Sequence, residues 1–125
     1  MNKEDKELLL KDLCSRLPYG VKVQVTQVPI GLSKDETLTY NRMYSLDESD
    51  EYITIKPYLR SMSSMTEEER NEYNKMQCVY GVTSISKHGE MTDWLNAHHF
   101  DYRGLIEKGL AIEVTEENNP YERID

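Results

Sequence analysis

The 125-residue chain carries a formal net charge of −8, and only 38% of its residues are hydrophobic. Its 15 Lys and Arg residues are scattered, so no basic stripe is available for a nucleic-acid backbone. No stretch approaches membrane-spanning length, the N-terminus lacks a signal-peptide pattern, and the two Cys residues form no CxxC pair. We therefore predict a single cytoplasmic domain over residues 1–125 with an acidic surface, no membrane association and no main role in nucleic-acid binding.

The first predicted element is a helix over residues 3–16. Its apolar side chains recur at three- and four-residue spacing, which predicts a buried face made of Leu10, Leu13, Cys14 and Leu17. Pro18 and Gly20 then favour a turn. Residues 21–25 alternate Val with polar residues, which is typical of a strand with one buried face.

Two further strands are predicted after a loop at residues 29–36. Residues 38–46 place their apolar side chains on one parity, interrupted by Arg42, which indicates a strand. Residues 52–59 also alternate, and Pro57 should end the pairing or move it to an edge because it cannot donate a hydrogen bond. The three strands together predict an antiparallel meander.

A second main helix is predicted after the third strand. Thr66 followed by Glu69 forms a capping box, and Gly81 is a natural end for the helix that begins there. Residues 82–90 predict a short strand or loop that ends in a turn.

Short elements are predicted in the C-terminal part of the chain. Thr92 is expected to cap a short helix over residues 93–99. Residues 102–108 predict another turn of helix, and residues 110–115 alternate like a last strand. Residues 116–125 are polar and predict a loose tail.

These elements together predict an α+β fold. We expect a small antiparallel sheet of three to five strands, open or curled into a partial barrel, packed against two main helices. The two main helices are those at residues 3–16 and after Thr66, and the short helices lie near the C-terminus.

One functional hypothesis is a small enzyme or metal-binding protein that uses His98 or His99 with Cys78 or Asp101. These residue types occur in Cys-His-Asp triads and among zinc ligands. Adjacent histidines on a helix diverge by about 100°, so they cannot easily bind one ion together. The sequence shows no nucleophile signature around Cys78 and no phosphate-binding glycine loop. We therefore predict no catalytic residue, no metal ligand and no cofactor.

A second hypothesis is association with single-stranded nucleic acid through the stretch IKPYLR. Tyr58 lies between Lys56 and Arg60, and such basic and aromatic residues can stack on bases and contact phosphates. The stretch is short and the chain is strongly acidic. A packed strand end or an interaction edge therefore explains the same residues better.

Residues 93–104, DWLNAHHFDYRG, contain the only Trp, the only Phe and two of the three His residues of the chain. Such residues anchor protein interfaces because they combine a large area with polar tips. They equally suit a packed corner in which aromatic side chains dock a short helix. Both interpretations stay open at this point. As a contact surface, the stretch would present these side chains to a protein partner: Trp94, His98, His99, Asp101, Tyr102 and Arg103.

A resemblance covers three stretches of the chain, LLLKDLCSRLPYGVKV, IKPYLRSMSSMTEEE and DWLNAHHFDYRGLIEKGLAIE. They resemble a family of short hypothetical proteins from gut anaerobic bacteria and their phages or other mobile elements. The resemblance spans most of the chain, from the first helix to the last strand. It implies a bacterial or phage cytoplasm and an accessory role, and it carries no activity, cofactor or catalytic residue. The leading prediction is therefore a small acidic accessory module that binds a protein partner.

Overall fold

A computed structural model describes the backbone of residues 2–27, 30–49, 53–80 and 85–121, and the side chains of these ranges except 45–49, 77–80 and 85–88. These residues form helices and strands in a mixed order. The elements along the chain are α1 (Lys3–Arg16), β1 (Lys22–Gln27), β2 (Leu32–Thr37), α2 (Tyr40–Ser49), β3 (Ile53–Leu59), α3 (Glu67–Tyr80), α4 (Ile85–Ala97) and β4 (Ile112–Glu113).

The four strands form one sheet in the order β2-β1-β3-β4. The predicted α+β fold is confirmed, and β1 is antiparallel to both β2 and β3. The prediction of an antiparallel sheet is wrong at β4, which pairs with β3 in parallel. The reason is the connection, because a crossover through α3 and α4 returns the chain in the same direction as β3. In the described part of the chain β2 and β4 are the two outer strands, so the sheet is open.

α1 has the predicted bounds but buries a different face. Asn2 caps its start by accepting a hydrogen bond from the Asp5 N–H at 2.7 Å. The buried side chains again follow helical spacing, but they are Leu9, Asp12, Leu13 and Arg16. Cys14, which was expected on the buried face, is exposed. The prediction failed because charged groups enter a protein interior only when they are paired, and hydrophobic periodicity does not show that pairing.

The region between β1 and β3 departs most from the prediction. The predicted loop contains β2, whose mostly exposed side chains lack the alternation of a half-buried strand, so only its pairing with β1 reveals it. The predicted strand at residues 38–46 is wrong, because α2 occupies most of it. The Thr39 hydroxyl caps this helix by accepting a hydrogen bond from the Arg42 N–H at 3.2 Å. Tyr40 and Tyr44 share a parity, but residues four apart also share a helix face, so the pattern fits both structures.

β3 and α3 follow the prediction closely. The prediction for Pro57 is confirmed, because the pairing of β3 with β1 ends at Pro57, opposite Val23, and the next two residues of β3 pair with β4 at the other edge. The capping box of α3 is confirmed, because the Glu69 N–H donates to Thr66 Oγ1 at 3.1 Å and the Thr66 N–H donates to Glu69 Oε1 at 2.9 Å. The predicted helix end at Gly81 lies outside the described residues.

α4 begins earlier than the short helix predicted in this region. Its first residue is Ile85, so the predicted strand or loop is wrong over residues 85–90. Thr92 lies inside the helix and does not cap it. Glycine is common in turns, and Gly89 therefore led to the wrong prediction of a turn inside this helix. The helical turn predicted for residues 102–108 is replaced by turns over residues 105–109.

The core lies between the sheet and the first two helices. Its buried hydrophobic residues come from α1, β1, α2, β3, the C-terminal turns and the residues next to β1 and β2: Leu9, Leu13, Val21, Val23, Val25, Leu38, Met43, Ile55, Leu59, Leu105 and Ala111. None of the helices in the described ranges combines the length and the apolar run needed to cross a bilayer.

Candidate functional site

The stretch at residues 93–104 begins with the last turns of α4, which a Schellman motif closes. The Phe100 N–H donates to the Leu95 carbonyl at 3.0 Å, and the His99 N–H donates to the Asn96 carbonyl at 3.1 Å. His99 has a left-handed backbone with φ of 63°, at the position that glycine usually takes. This conformation costs a residue with a Cβ about 1–2 kcal/mol. The contacts around His99 must therefore hold it in place.

Backbone hydrogen bonds attach this corner to the end of β3. The Arg60 N–H donates to the His99 carbonyl and the Asp101 N–H donates to the Arg60 carbonyl, both at 2.8 Å. Phe100, between these bonds, is completely buried. The Arg60 guanidinium lies 4.3 Å from the centroid of the Phe100 ring. Backbone and side-chain contacts thus fix the corner to the sheet.

Trp94 belongs to an aromatic cluster inside this corner. Its ring centroid lies 4.3 Å from that of His98, 5.8 Å from that of Phe100 and 6.0 Å from that of Tyr73. The indole Nε1–H donates to Glu72 at 3.3 Å. Trp94 therefore connects α4 to α3 through its ring contact with Tyr73 and its hydrogen bond to Glu72.

The polar side chains that follow Phe100 are also engaged internally. Asp101 accepts hydrogen bonds from the N–H groups of Leu105 and Ile106, both at 2.9 Å. The Tyr102 hydroxyl donates to Asn96 Oδ1 at 2.8 Å. These bonds satisfy backbone donors of the following turns and a buried amide, which is the work of a packed corner.

A buried ion network connects the corner to α1. Asp12 and Arg16 are completely buried, and Arg16 Nε donates to Asp12 Oδ2 at 2.7 Å. Arg16 Nη2 also donates to the Phe100 carbonyl at 2.6 Å. Arg103 reaches the other oxygen of Asp12 at 2.9 Å and lies over the Tyr102 ring. Asp12 and Arg16 are thus site residues that the sequence reasoning missed, although their i, i+4 spacing was a usable signal.

The six side chains predicted as a partner surface therefore come together at one corner. All six are half-buried, and the packed-corner interpretation accounts for most of their contacts. A role of this corner in partner binding stays a prediction.

A polar cleft of about 480 Å³ opens beside the corner. Six of its lining residues have titratable side chains: Arg60, Glu68, Glu69, His98, His99 and Tyr121. Arg60 donates to both carboxylate oxygens of Glu69, at 2.6 and 2.8 Å. This bidentate pair, helped by the Thr66 N–H, lowers the pKa of Glu69 to about 2. The Arg60 charge is thus neutralised within the cleft.

His99 contributes a neutral ring to the cleft. Burial, and next the nearby charge of Arg16, lower its pKa to about 4. Its ring stacks on Tyr121 with centroids 3.9 Å apart and planes 10° apart. Its Nδ1 is buried without a hydrogen-bond partner.

Tyr121 anchors a segment that was predicted to be a loose tail. Its hydroxyl donates to the Tyr58 carbonyl at 2.7 Å and accepts from the Lys22 N–H at 3.0 Å. Burial raises the pKa of Tyr121. Pro120, next to it, is buried as well. The prediction of a loose tail from residue 116 is wrong at these residues, because one aromatic ring with a polar tip satisfies two backbone groups of the sheet.

The lowered pKa of His99 predicts a loss of stability in mild acid. Between its ordinary pKa of 6.5 and its folded pKa of about 4, the unfolded chain binds a proton that the folded chain does not. The His99 contribution is therefore complete above pH 6.5 and is lost as the pH falls towards 4. We expect the free energy of unfolding to fall by about 1–2 kcal/mol between pH 7 and pH 5, after allowance for solvent screening.

Urea unfolding of the wild type and of His99→Asn at both pH values measures this effect. Asn tolerates the left-handed backbone and does not titrate in this range. The variant should therefore show a smaller difference between the two pH values than the wild type. Equal differences would contradict the assignment to His99.

The contacts do not support the enzyme or metal hypothesis. Nδ1 of His98 lies 2.9 Å from the Trp94 carbonyl, and both oxygens of Asp101 bind backbone N–H groups. The side chain of Cys78 lies outside the described side chains. Among the described residues, no group of three His, Cys, Asp or Glu could hold a metal ion. The geometry brings His98 and His99 to one cleft but assembles no triad from the described residues.

The contacts of IKPYLR do not favour nucleic-acid stacking. Tyr58 is only 3% exposed, and its hydroxyl donates to Asp35 at 2.6 Å, so its ring cannot stack on a base. Arg60 is paired with Glu69 and lies over Phe100. The strand-end interpretation of this stretch accounts for these contacts.

The exposed hydrophobic side chains lie at a different place. Four large ones are exposed in the described ranges: Ile30 (70%), Leu32 (64%), Tyr40 (69%) and Tyr44 (57%). The first two flank the start of β2 and the other two follow its end, so we call the four residues the β2-flanking surface. The sequence reasoning missed this surface because it placed these residues in a loop and on the buried side of a strand.

No known protein family, curated protein or solved structure matches the chain.

Proposed function

We propose that the chain is a protein-binding module whose contact surface is the β2-flanking surface. The observation that carries the proposal is the exposure of four large hydrophobic side chains around one edge strand. The whole chain has a mean hydropathy of −0.74, which is polar. In such a polar protein, large apolar side chains that stay exposed at both ends of one edge strand indicate a place where a partner excludes water.

Two grooves lie at the β2-flanking surface. One, of about 250 Å³, lies between α1 and α2 and is lined by Leu10, Cys14, Tyr40, Met43 and Tyr44. The other, of about 240 Å³, lies above β1 and β2 and includes Leu32, Lys34 and Arg42 in its lining. Concave apolar sites next to Tyr side chains are typical of interface anchors, because the ring adds area and the hydroxyl stays hydrated.

The proposed module acts as an accessory protein in a bacterial or phage cytoplasm, as the resemblance of its motifs implies. Its action needs no cofactor, because the partner is recognised through buried apolar area and a rim of polar groups. The partner presents aliphatic or aromatic side chains to the grooves.

A pull-down tests the proposal with the double variant Tyr40→Gln, Tyr44→Gln. The tagged bait is incubated with lysate of a gut anaerobe supplemented with the purified untagged chain, and bound proteins are quantified by mass spectrometry. Gln keeps helix propensity, and both Tyr residues are exposed, so the fold should persist. Loss of two aromatic anchors, worth about 1–2 kcal/mol each, should reduce recovery of the partner at least about tenfold.

The matched control is the double variant Glu107→Gln, Lys108→Gln, which changes two exposed residues that are not part of the β2-flanking surface. It should recover the same proteins as the wild type. Equal recovery by the wild type and by the Tyr40→Gln, Tyr44→Gln variant, for every lysate protein and for the untagged chain, would show the proposal to be wrong.

A further inference from the structure

We infer that the partner of the β2-flanking surface is a second copy of this chain, bound by antiparallel pairing of two β2 strands. The inference rests on the proposed function, because it names the occupant of the same surface. Three features of β2 carry it: an open edge, the position of the exposed hydrophobic residues, and the order of its charges.

The first feature is the open edge. β2 pairs with β1 along its whole length, from Leu32 opposite Gln27 to Thr37 opposite Lys22. In the described residues no strand pairs with its other side. Five of its six side chains are exposed. A strand with such an edge offers its outward N–H and C=O groups to a further strand.

The second feature is the placement of apolar residues at both ends of this strand. Ile30 and Leu32 lie at its start, and Tyr40 and Tyr44 follow its end. Two-fold antiparallel pairing brings the start of one β2 beside the end of the other. Ile30 and Leu32 of each copy then lie beside Tyr40 and Tyr44 of the other copy, so this one arrangement covers all four hydrophobic side chains.

The third feature is the charge order, which selects a register. The outward backbone groups of a strand recur at every second residue, so residues that face each other across a two-fold strand pair have the same parity. Centring the pair on Asp35 places Lys34 opposite Glu36 of the second copy, twice. The same register brings the turn that holds Ile30 to the end of the second copy's β2 that leads to Tyr40. Centring the pair on Lys34 instead would place Lys34 opposite itself and Glu36 opposite Leu32, so both Lys34–Glu36 contacts would be lost.

The side chains of Lys34 and Glu36 are oriented for the contacts between the two copies. Lys34 lies opposite Val25 and Glu36 opposite Val23 in the β1–β2 ladder, so both point to the face on which α2 packs. Lys34 is 67% exposed, and its Nζ is 4.0 Å from Glu36 Oε2, too far for a hydrogen bond. Glu36 Oε1 accepts from Arg42 at 2.5 Å, which holds the carboxylate in place. Oε2 is therefore placed to accept from Lys34 of the second copy.

The Asp35 side chains point to the other face of the sheet. Each accepts a hydrogen bond from its own Tyr58 hydroxyl at 2.6 Å. In this register the two Asp35 residues face each other, and this bond turns each carboxylate inward towards its own Tyr58, away from the two-fold axis.

Sedimentation velocity of the full chain at physiological ionic strength tests the inference. The wild type should sediment with twice the chain mass and dissociate on dilution. Lys34→Glu and Glu36→Lys each replace two attractive contacts by two repulsive ones, so each variant should raise the dissociation constant at least about tenfold. An equimolar mixture of the two variants restores both attractive contacts and should associate like the wild type.

Rescue in the mixture is specific to the register centred on Asp35, since a merely destabilising variant would not be rescued. Circular dichroism of each variant checks that the monomer is folded. A wild type that stays monomeric at every accessible concentration would overturn the inference, and so would variants that fail to rescue each other. If the chain is monomeric but Tyr40 and Tyr44 still control capture of another protein, the proposed function stands and only this inference falls.

Discussion

Replacing Arg16 by Met is expected to lower the free energy of unfolding by about 3–5 kcal/mol, because it leaves a buried charge without its partner. Arg16 and Asp12 are both completely buried, and Arg16 also holds the carbonyl of Phe100. The Asp12 carboxylate would keep only Arg103, which is 16% exposed. Urea unfolding followed by circular dichroism measures the loss.

The double variant Asp12→Leu, Arg16→Met separates charge burial from packing. Apolar side chains of similar volume often replace a buried ion pair with little loss. Arg103 can turn towards water once Asp12 is gone, because it lies at the rim and also donates to Ser15. We expect the double variant to be more stable than Arg16→Met alone. Additive losses from the two single substitutions would contradict this account.

Lys11→Met provides the matched control for this set. It removes a positive charge from the same helix, at an exposed position. The change in the free energy of unfolding should stay within about 0.5 kcal/mol. A large loss here would mean that net charge, and not the buried pair, governs the stability of α1.

Replacing Phe100 by Ala is expected to cost about 3–5 kcal/mol, the range for a large buried aromatic side chain. Phe100 is completely buried and contacts three groups of the corner: Arg60, Trp94 and His98. The substitution would also remove the ring on which the guanidinium of the Arg60–Glu69 pair lies. Trp94, the only Trp of the chain, reports on this site directly, so its native fluorescence should change together with the unfolding midpoint.

Phe100→Leu is the conservative companion of this variant. It keeps most of the apolar volume, so we expect a loss of about 1–1.5 kcal/mol and a native Trp94 emission close to that of the wild type. If Phe100→Ala does not fold, a folded Phe100→Leu with a lowered midpoint still measures the contribution of the ring. Wild-type stability in both variants would show that the corner does not depend on Phe100.

Elements that depend on neighbouring residues could be predicted from the sequence. The bounds of α1 and the capping box of Thr66 and Glu69 follow from contacts three or four residues apart. β1 alternates apolar and polar residues because one face is buried, so its pattern is visible along the chain itself. For the same reason the α+β class could be recognised without any knowledge of the packing.

The candidate sites were less predictable because they are assembled from distant segments. The cleft brings together Arg60, Glu69, His99 and Tyr121, whereas the sequence analysis gave Glu69 only a capping role and assigned no role to Tyr121. Tyr121 reaches Lys22 and Tyr58 across most of the chain. The β2-flanking surface was missed because exposure of an apolar side chain is a property of the packed fold, and hydrophobicity alone predicts burial.

The sequence by itself determined which stretches are helical or extended wherever periodicity and caps agree, and it determined the acidic, polar composition of the chain. The tertiary structure alone decided which face of α1 is buried, that residues 32–37 form an edge strand, and that the 93–104 stretch is held by internal contacts. The physical reason is the range of the interactions. Caps and periodicity act over one or two turns, whereas a paired charge such as Asp12 with Arg16 and Arg103, or a strand with an open edge, depends on what the rest of the chain brings beside it.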